Sequence, residues 1–199
     1  MNQVVIFGID GASPKLIERW QDELPNLRRI MKGGVYGELE STVPPVTCPA
    51  WPCMFTRRNP GKIGMYGFIS VDVAQEYRIK ISSSLNYYQW SLWKILNDHG
   101  IAVGLLNLAM TFPPHKIDSF MVCGIGSPLS GRAGYIYPAQ LKGELNRVAP
   151  GYEPLPPIDT TIHGKEEEYK EILEHAVSNR LKATRYLMNL PPGSSLSVP

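Results

Sequence analysis

The side chains best suited to chemistry in this chain are a hydroxyl and a carboxylate. Thr47 lies in the run STVPPVTCPAW (residues 41–51), on a loop stiffened by prolines just before a predicted helix start. Asp10 follows a short apolar run and precedes a glycine. A carboxylate oxygen suits a divalent cation, and a threonine hydroxyl becomes a useful nucleophile when a metal or base lowers its pKa. The pair predicts a metal-assisted site for phosphoryl or sulfuryl transfer.

Each of these residues also has an ordinary structural interpretation. Asp10 with Gly11 is typical of a turn that ends a strand, and Thr47 of a hydroxyl that caps a helix. Cys48 is either an alternative nucleophile or, more simply, a small core residue. The residue types alone therefore leave these alternatives open.

The first third of the sequence predicts the elements that position the pair. Residues 3–9 predict a buried parallel strand, because they are β-branched and apolar, and residues 35–41 predict a second strand. Between them, Ser13 predicts the cap of one helix and Pro25 the start of another, which Gly33-Gly34 closes. We expect the apolar side chains of both helices to face inward; they are Leu16, Ile17, Trp20, Leu27, Ile30 and Met31. A helix over 50–58 follows and is broken by Asn59-Pro60-Gly61.

The remaining sequence alternates strand and helix patterns. It predicts an irregular strand region over 65–84, strands over 101–106 and 119–123, and helices over 90–97, 138–148 and 164–188. The apolar stripe expected on the last helix is Ile172, Leu173, Val177, Leu181 and Leu187. This alternation predicts an α/β fold, a layered and mainly parallel sheet with helices on both faces. We expect one domain over 1–188, a cap or loop insertion over 124–160, and a disordered or aberrant tail over 189–199.

Composition excludes several classes of function. The 199-residue chain carries a formal net charge of +2, which is too small to indicate a nucleic-acid polymer or an anionic membrane as partner. It has no apolar run of about 20 residues and no secretory signal pattern. Its three cysteines, Cys48, Cys53 and Cys123, are expected to be reduced thiols. These features predict a cytoplasmic protein.

The order and spacing of several motifs resemble those of the type I phosphodiesterase/nucleotide pyrophosphatase family, within the alkaline phosphatase superfamily. The most specific pair is the Thr-x-Pro-Ala-Trp motif that begins at Thr47 and the Asn-Pro-Gly-Lys motif that begins at Asn59. The other matching runs are Gly8–Ala12, Leu24–Leu27, Gly33–Gly37, Asn107–Pro114, Phe120–Gly124 and Tyr137-Pro138. The resemblance extends over about residues 3–188.

That resemblance implies an alkaline-phosphatase-like fold and a hydrolase with two divalent metals, usually zinc. It implies that Thr47 is the nucleophile, that it forms a covalent intermediate, and that Asp10 and Thr47 ligate the same metal. The substrate would be a small phosphoester. The eukaryotic nucleotide pyrophosphatases carry an asparagine where this chain has Ala50, so nucleotide specificity is not implied.

The chain departs from the family pattern in its metal ligands. The family's Asp-x3-His pair, Asp-His pair and further histidine would follow the last helix, and the sequence stops before them. A truncation or reading-frame change near Asn189 is the predicted cause, and it implies an incomplete fold. The alternative function is therefore a catalytically inactive half-domain that only binds or self-associates through an exposed sheet edge.

The histidines of this chain do not replace the missing ligands. Asp98-His99-Gly100 reproduces the family's metal-binding tripeptide, but its position predicts a helix end. His115 and His175 are expected at the surface, and His163 before a helix start. Glu166-Glu-Glu168 is expected to form the solvated first turn of the last helix.

Overall fold

The computed structural model describes residues 3–72, 76–128, 134–156 and 164–190. Within these ranges the protein is α/β, with seven α-helices and two small sheets. The helices are α1 Pro14–Arg19, α2 Pro25–Gly33, α3 Thr47–Thr56, α4 Pro60–Ile63, α5 Leu92–Asp98, α6 Leu141–Val148 and α7 Glu166–Met188. The strands are β1 Ile69–Asp72, β2 Arg78–Ile81, β3 Leu105–Leu108, β4 Met121–Cys123 and β5 Ile136–Tyr137. None of the helices in the described ranges is long and apolar enough to cross a membrane.

The larger sheet has the order β3-β4-β5 and is only partly parallel. Strands β3 and β4 pair parallel, as predicted for successive buried strands, whereas β5 pairs antiparallel to β4. A bulge separates Leu106 from Leu108, and Asn107 between them has a positive φ of 55°. The other sheet is the antiparallel hairpin of β1 and β2. A layered and mainly parallel sheet is therefore not confirmed.

The core forms around Trp93 of α5 and the three residues of β4. Trp93 is 1% exposed, and its ring lies 6.0 Å from that of Tyr87, edge to face. The Tyr87 hydroxyl donates a hydrogen bond of 2.9 Å to the Met110 carbonyl oxygen, so its polar end is satisfied inside the core. All three residues of β4 are fully buried between β3 and β5. This aromatic and aliphatic cluster supports α3 and therefore the start of that helix.

Helix α7 has the predicted length but packs on a different face. Its buried residues are Asn179, Ala183 and Leu187, spaced four apart, and only Leu187 belongs to the predicted stripe. Leu173, Val177 and Leu181 of that stripe are exposed at 39–53%. The prediction was wrong for these three residues, because within the described part of the chain the helix buries side chains only in its last three turns, where a small alanine allows close approach. The three glutamates at its start are exposed, as predicted.

The predicted strands over 3–9 and 35–41 are not formed. A strand requires a hydrogen-bonded neighbour, and neither segment pairs with another strand in the described part of the chain. Their apolar side chains are exposed rather than buried; Val4 is exposed at 86%, Phe7 at 75% and Leu39 at 88%. Their apolar, β-branched residues suit these segments to a β-sheet, but strand formation also requires a second strand to pair with.

Helices α1 and α2 begin where the sequence predicts but do not bury their apolar faces. The Ser13 hydroxyl accepts a hydrogen bond from the Leu16 backbone N–H at 3.4 Å, and Pro25 opens α2. Neither helix contains a buried residue, and Trp20 and Ile30 are exposed at 46% and 66%. The starts of these two helices are predictable from sequence, because capping depends only on neighbouring residues.

Several other predictions concern segment ends. Helix α5 ends before Gly100, which has the left-handed φ of 72° expected at such a position, and His99 bonds the Ile95 carbonyl through its ring. The helix-end interpretation of residues 98–100 is therefore confirmed. Asn59 caps α4 through its side chain, so the predicted helix break also starts a new short helix. Residues 191–199 of the tail expected over 189–199, His163 and part of the expected cap lie outside the described residues, and the domain boundaries stay predictions.

Candidate active site

The structure brings the two sequence-predicted site residues together. The Thr47 hydroxyl donates a hydrogen bond of 3.1 Å to Oδ2 of Asp10, although 37 residues separate them in sequence. Asp10 is exposed and Thr47 is half-buried, so a ligand in solvent can approach both oxygens. The bond orients the hydroxyl and places a proton acceptor on it.

Helix α3 fixes the position of Thr47, which is its first residue. The preceding residue, Val46, has extended backbone angles and makes no side-chain cap. The Thr47 hydroxyl bonds Asp10, so the helix-capping interpretation of this side chain is wrong. The backbone N–H groups of Thr47 and Cys48 have no partner inside the helix and lie at the positive end of its dipole, whereas Pro49 has no N–H and Ala50 donates to the Val46 carbonyl. Thr47 therefore stands where an anion is best accommodated.

Asp10 is held by a turn rather than by a strand. Gly11 has a φ of 73°, a left-handed conformation that glycine adopts without steric cost, and its carbonyl accepts a 3.0 Å bond from the Ser13 N–H. The predicted turn at Asp10-Gly11 is thus present, and it directs the carboxylate to Thr47 as well. The role of Asp10 as a metal ligand stays a prediction.

The start of α3 is hydrogen-bonded to residues that flank the β1–β2 hairpin. The Gly67 carbonyl oxygen accepts hydrogen bonds from the Cys48 thiol at 3.0 Å and from the Ser82 hydroxyl at 2.7 Å. These contacts could not be predicted from the sequence, because they join residues 19 and 15 positions apart that belong to no common motif. They hold Cys48, the residue next to Thr47, against the end of the β1–β2 hairpin.

The environment of Cys48 excludes it as the nucleophile. Its side chain is fully buried, its thiol donates to Gly67, and burial raises its pKa. A thiol that is kept protonated and inaccessible cannot attack a substrate. Cys53 and Cys123 are also free thiols, and burial raises the pKa of Cys123 to about 12. The prediction of reduced cysteines is consistent with these three free thiols.

The metal ligands available near the site are few. Among the described residues, no group of three or more His, Cys, Asp or Glu side chains could hold a metal ion. Asp98 is bound by Lys94 at 2.6 Å, and His175 is exposed on α7. His115 was expected at the surface, but it is half-buried because its ring stacks on Tyr88 at 3.6 Å. Asp10 and Thr47 supply oxygen donors of the right kind, but only two of them.

Comparison with known proteins identifies the family. A family model of type I phosphodiesterase / nucleotide pyrophosphatase matches residues 4–185 of the 199-residue chain. No curated protein and no solved structure matches the chain. The match runs through both site segments, the larger sheet and nearly all of α7, so it covers far more than half of the sequence. The chain belongs to the type I phosphodiesterase / nucleotide pyrophosphatase family.

Proposed function

We propose that this protein hydrolyses small phosphate mono- or diesters, with Thr47 as the nucleophile. The observation that carries the proposal is the 3.1 Å hydrogen bond from the half-buried Thr47 hydroxyl, at the start of a helix, to the exposed carboxylate of Asp10. Membership of a phosphodiesterase and pyrophosphatase family supports the reaction class. A cytoplasmic location is part of the same proposal and rests only on the sequence.

The proposed step begins with the Thr47 hydroxyl and the phosphorus atom of the ester. A new bond forms between Oγ1 and phosphorus while the bond from phosphorus to the leaving oxygen breaks. The hydroxyl proton has Oδ2 of Asp10 as its acceptor, and the leaving oxygen takes a proton from solvent. The N–H groups at the start of α3 stabilise the negative phosphoryl oxygens. Water then attacks the phosphorus atom and releases a proton to solvent, the bond from phosphorus to Oγ1 breaks, and Oγ1 takes back the proton held on Asp10.

A divalent cation fits the donor types at this site but not their number. Carboxylate and hydroxyl oxygens suit such a cation, and the sequence resemblance implies two zinc ions. Catalytic zinc sites normally use three protein ligands, so a complete site requires ligands beyond Asp10 and Thr47. When bound, the metal would lower the pKa of the hydroxyl and neutralise phosphoryl charge. We therefore expect slow turnover from this chain.

The test compares Thr47 variants on chromogenic phosphate esters. Initial rates with bis(p-nitrophenyl) phosphate and p-nitrophenyl phosphate are measured with zinc, with manganese and with chelator. Thr47→Ala should lose the metal-dependent rate by at least about 100-fold, whereas Thr47→Ser should retain part of it. Thr184→Ala is the matched control, because Thr184 lies on α7, away from the candidate site in sequence, and its hydroxyl donates to the Arg180 carbonyl of the same helix. Equal rates for Thr47→Ala and the control would contradict the proposal.

A second candidate function is a non-catalytic module that self-associates. Residues 4–9 favour it, because Val4, Val5 and Ile6 are exposed at 59–86% in a segment that pairs with no strand among the described residues. Exposed apolar backbone of this kind can pair with a second chain. Sedimentation velocity over a range of protein concentrations tests it, with Ile6→Lys as the disrupting variant. A concentration-dependent dimer that Ile6→Lys abolishes, together with metal-insensitive background hydrolysis, would favour this candidate over the first.

A further inference from the structure

Gly8 lies two residues before Asp10, and its backbone packs directly on the indole ring of Trp51. A Cβ atom placed on Gly8 would lie 2.4 Å from Cη2 and 2.7 Å from Cζ3 of that ring. Both distances are far shorter than the 3.5–4.0 Å of ordinary carbon contacts, on the order of a full ångström too short. Gly11, by contrast, has open space around its Cα and is a glycine because of its φ. Gly8 is therefore required for close approach.

The Trp51 ring is held in place from the core side. It stacks on Phe55 at 6.1 Å with an interplanar angle of 13°, and Phe55 packs against Trp93 at 5.9 Å. Trp93 is 1% exposed and contacts Tyr87, which is equally buried. A row of four aromatic rings thus runs from the centre of the core to the backbone of Gly8. Because each ring rests on the next, the indole cannot swing away freely to admit a larger residue at position 8.

The contact lies beside the candidate active site on both segments. Trp51 follows Thr47 by four residues on α3, so both side chains project from one face of the helix. Gly8 precedes Asp10 by two residues. The flanking side chains offer no equivalent anchor, because Phe7 and Ile9 are exposed at 75% and 48%.

We propose that the Gly8–Trp51 contact sets the distance between Asp10 and Thr47. Gly8 and Trp51 are then positioning residues: neither touches the substrate, and both act through the placement of the Asp10 carboxylate. The catalytic meaning of the contact rests on the proposed function. The geometric claim can be tested without metal, substrate or turnover.

The test measures proximity by NMR in protein with labelled threonine methyl groups. The wild type should show a nuclear Overhauser effect between the Thr47 γ-methyl and the Asp10 β-protons. Gly8→Ala should abolish it, because the added methyl pushes the segment off the indole ring. Gly37→Ala is the matched control, since a Cβ there meets no atom within 4 Å, and it should leave the effect intact. Unchanged resonances of Trp93 confirm that the core of each variant is folded.

A compensating substitution separates the contact from general damage. Trp51→Leu removes the large ring, so the double variant Gly8→Ala/Trp51→Leu should regain the Asp10–Thr47 effect that Gly8→Ala loses. Trp51→Leu alone should weaken it, because Gly8 then has no ring to rest on. Persistence of the effect in Gly8→Ala, or its full retention in Trp51→Leu, would overturn the inference while leaving the proposed function intact. Hydrolysis that is insensitive to Thr47→Ala, with all these effects as predicted, would instead remove only the function.

Discussion

The two parts of the chain on either side of Thr47 share similar sequence patterns but differ completely in burial. None of residues 3–46 is buried, although this region contains a valine- and isoleucine-rich run and two helices with apolar faces. Every buried hydrophobic residue of the described chain lies at Cys48 or later. Both parts therefore have amphipathic sequence patterns. They differ in whether another helix or strand packs against their apolar side chains.

The candidate active site lies at the boundary between these two parts. Thr47 is the first residue of a helix anchored in the core, whereas Asp10 belongs to the exposed part. The carboxylate reaches the hydroxyl because Gly8 packs on Trp51 and Gly11 turns the chain. A site assembled in this way depends on a few contacts between the two parts. Because only the part after Thr47 contains buried residues, we expect substitutions there to change the free energy of unfolding much more than substitutions before it.

The largest difference is expected between two tryptophans. Trp93→Ala removes a ring that is 1% exposed and should lower the free energy of unfolding by about 3–5 kcal/mol. Trp20→Ala removes a ring at the C-terminal cap of α1 that is 46% exposed and should change it by about 0.5 kcal/mol or less. Urea unfolding followed by circular dichroism measures both. Similar losses for the two variants would show that the exposed part is packed as well as the core.

A smaller difference is expected between two tyrosine hydroxyls. Tyr87→Phe leaves the buried Met110 carbonyl without its hydrogen bond and should cost about 1–3 kcal/mol. Tyr36→Phe removes an exposed contact of 3.4 Å to Glu18 and should leave the unfolding curve unchanged. The same urea titrations measure this pair. An unaffected Tyr87→Phe variant would contradict the assignment of that hydroxyl to the core.

The smallest effect on the free energy of unfolding is expected from a change of pH, and it comes from a residue in the part of the chain after Thr47. Burial of the His115 ring against Tyr88 lowers its pKa, and its Nε2 lies 2.8 Å from the Ser84 hydroxyl. The unfolded chain then binds a proton more readily than the folded one, so stability is full above about pH 6.5 and declines as the pH falls through that value. Unfolding free energies of wild type and His115→Gln between about pH 8 and pH 5 measure the effect. A wild-type curve no steeper than that of His115→Gln would contradict it.

Sequence predicted the local features of this fold and missed those that depend on distant contacts. The helix starts at Ser13 and Pro25, the helix break at Asn59 and the helix end at Gly100 follow from capping and backbone preferences of neighbouring residues. Burial could not be predicted in the same way. The run over 3–9 has the composition of a buried strand but pairs with no strand in the described ranges, and a run of residues does not encode its own pairing partner.

For the candidate site, too, sequence motifs were predictable and contacts between distant residues were not. Motif spacing identified Asp10 and Thr47, and the hydrogen bond between them agrees with that pairing. The contact of Gly8 with Trp51 was not predicted, although both residues lie inside the matching motifs, because a glycine motif does not reveal which ring it faces. The roles of Asp10 and Thr47 in catalysis, the zinc ions and the predicted truncation stay predictions.

The most direct test of the account is to trap the covalent intermediate on Thr47. Protein is mixed with p-nitrophenyl phosphate and zinc, quenched in acid within a single turnover, digested and examined by tandem mass spectrometry. The account predicts a phosphoryl group on Thr47 in the wild type, and none on the corresponding peptide of Thr47→Ala. A phosphoryl group on another residue, or product released by the wild type with Thr47 never modified, would contradict the claim that this hydroxyl is the nucleophile.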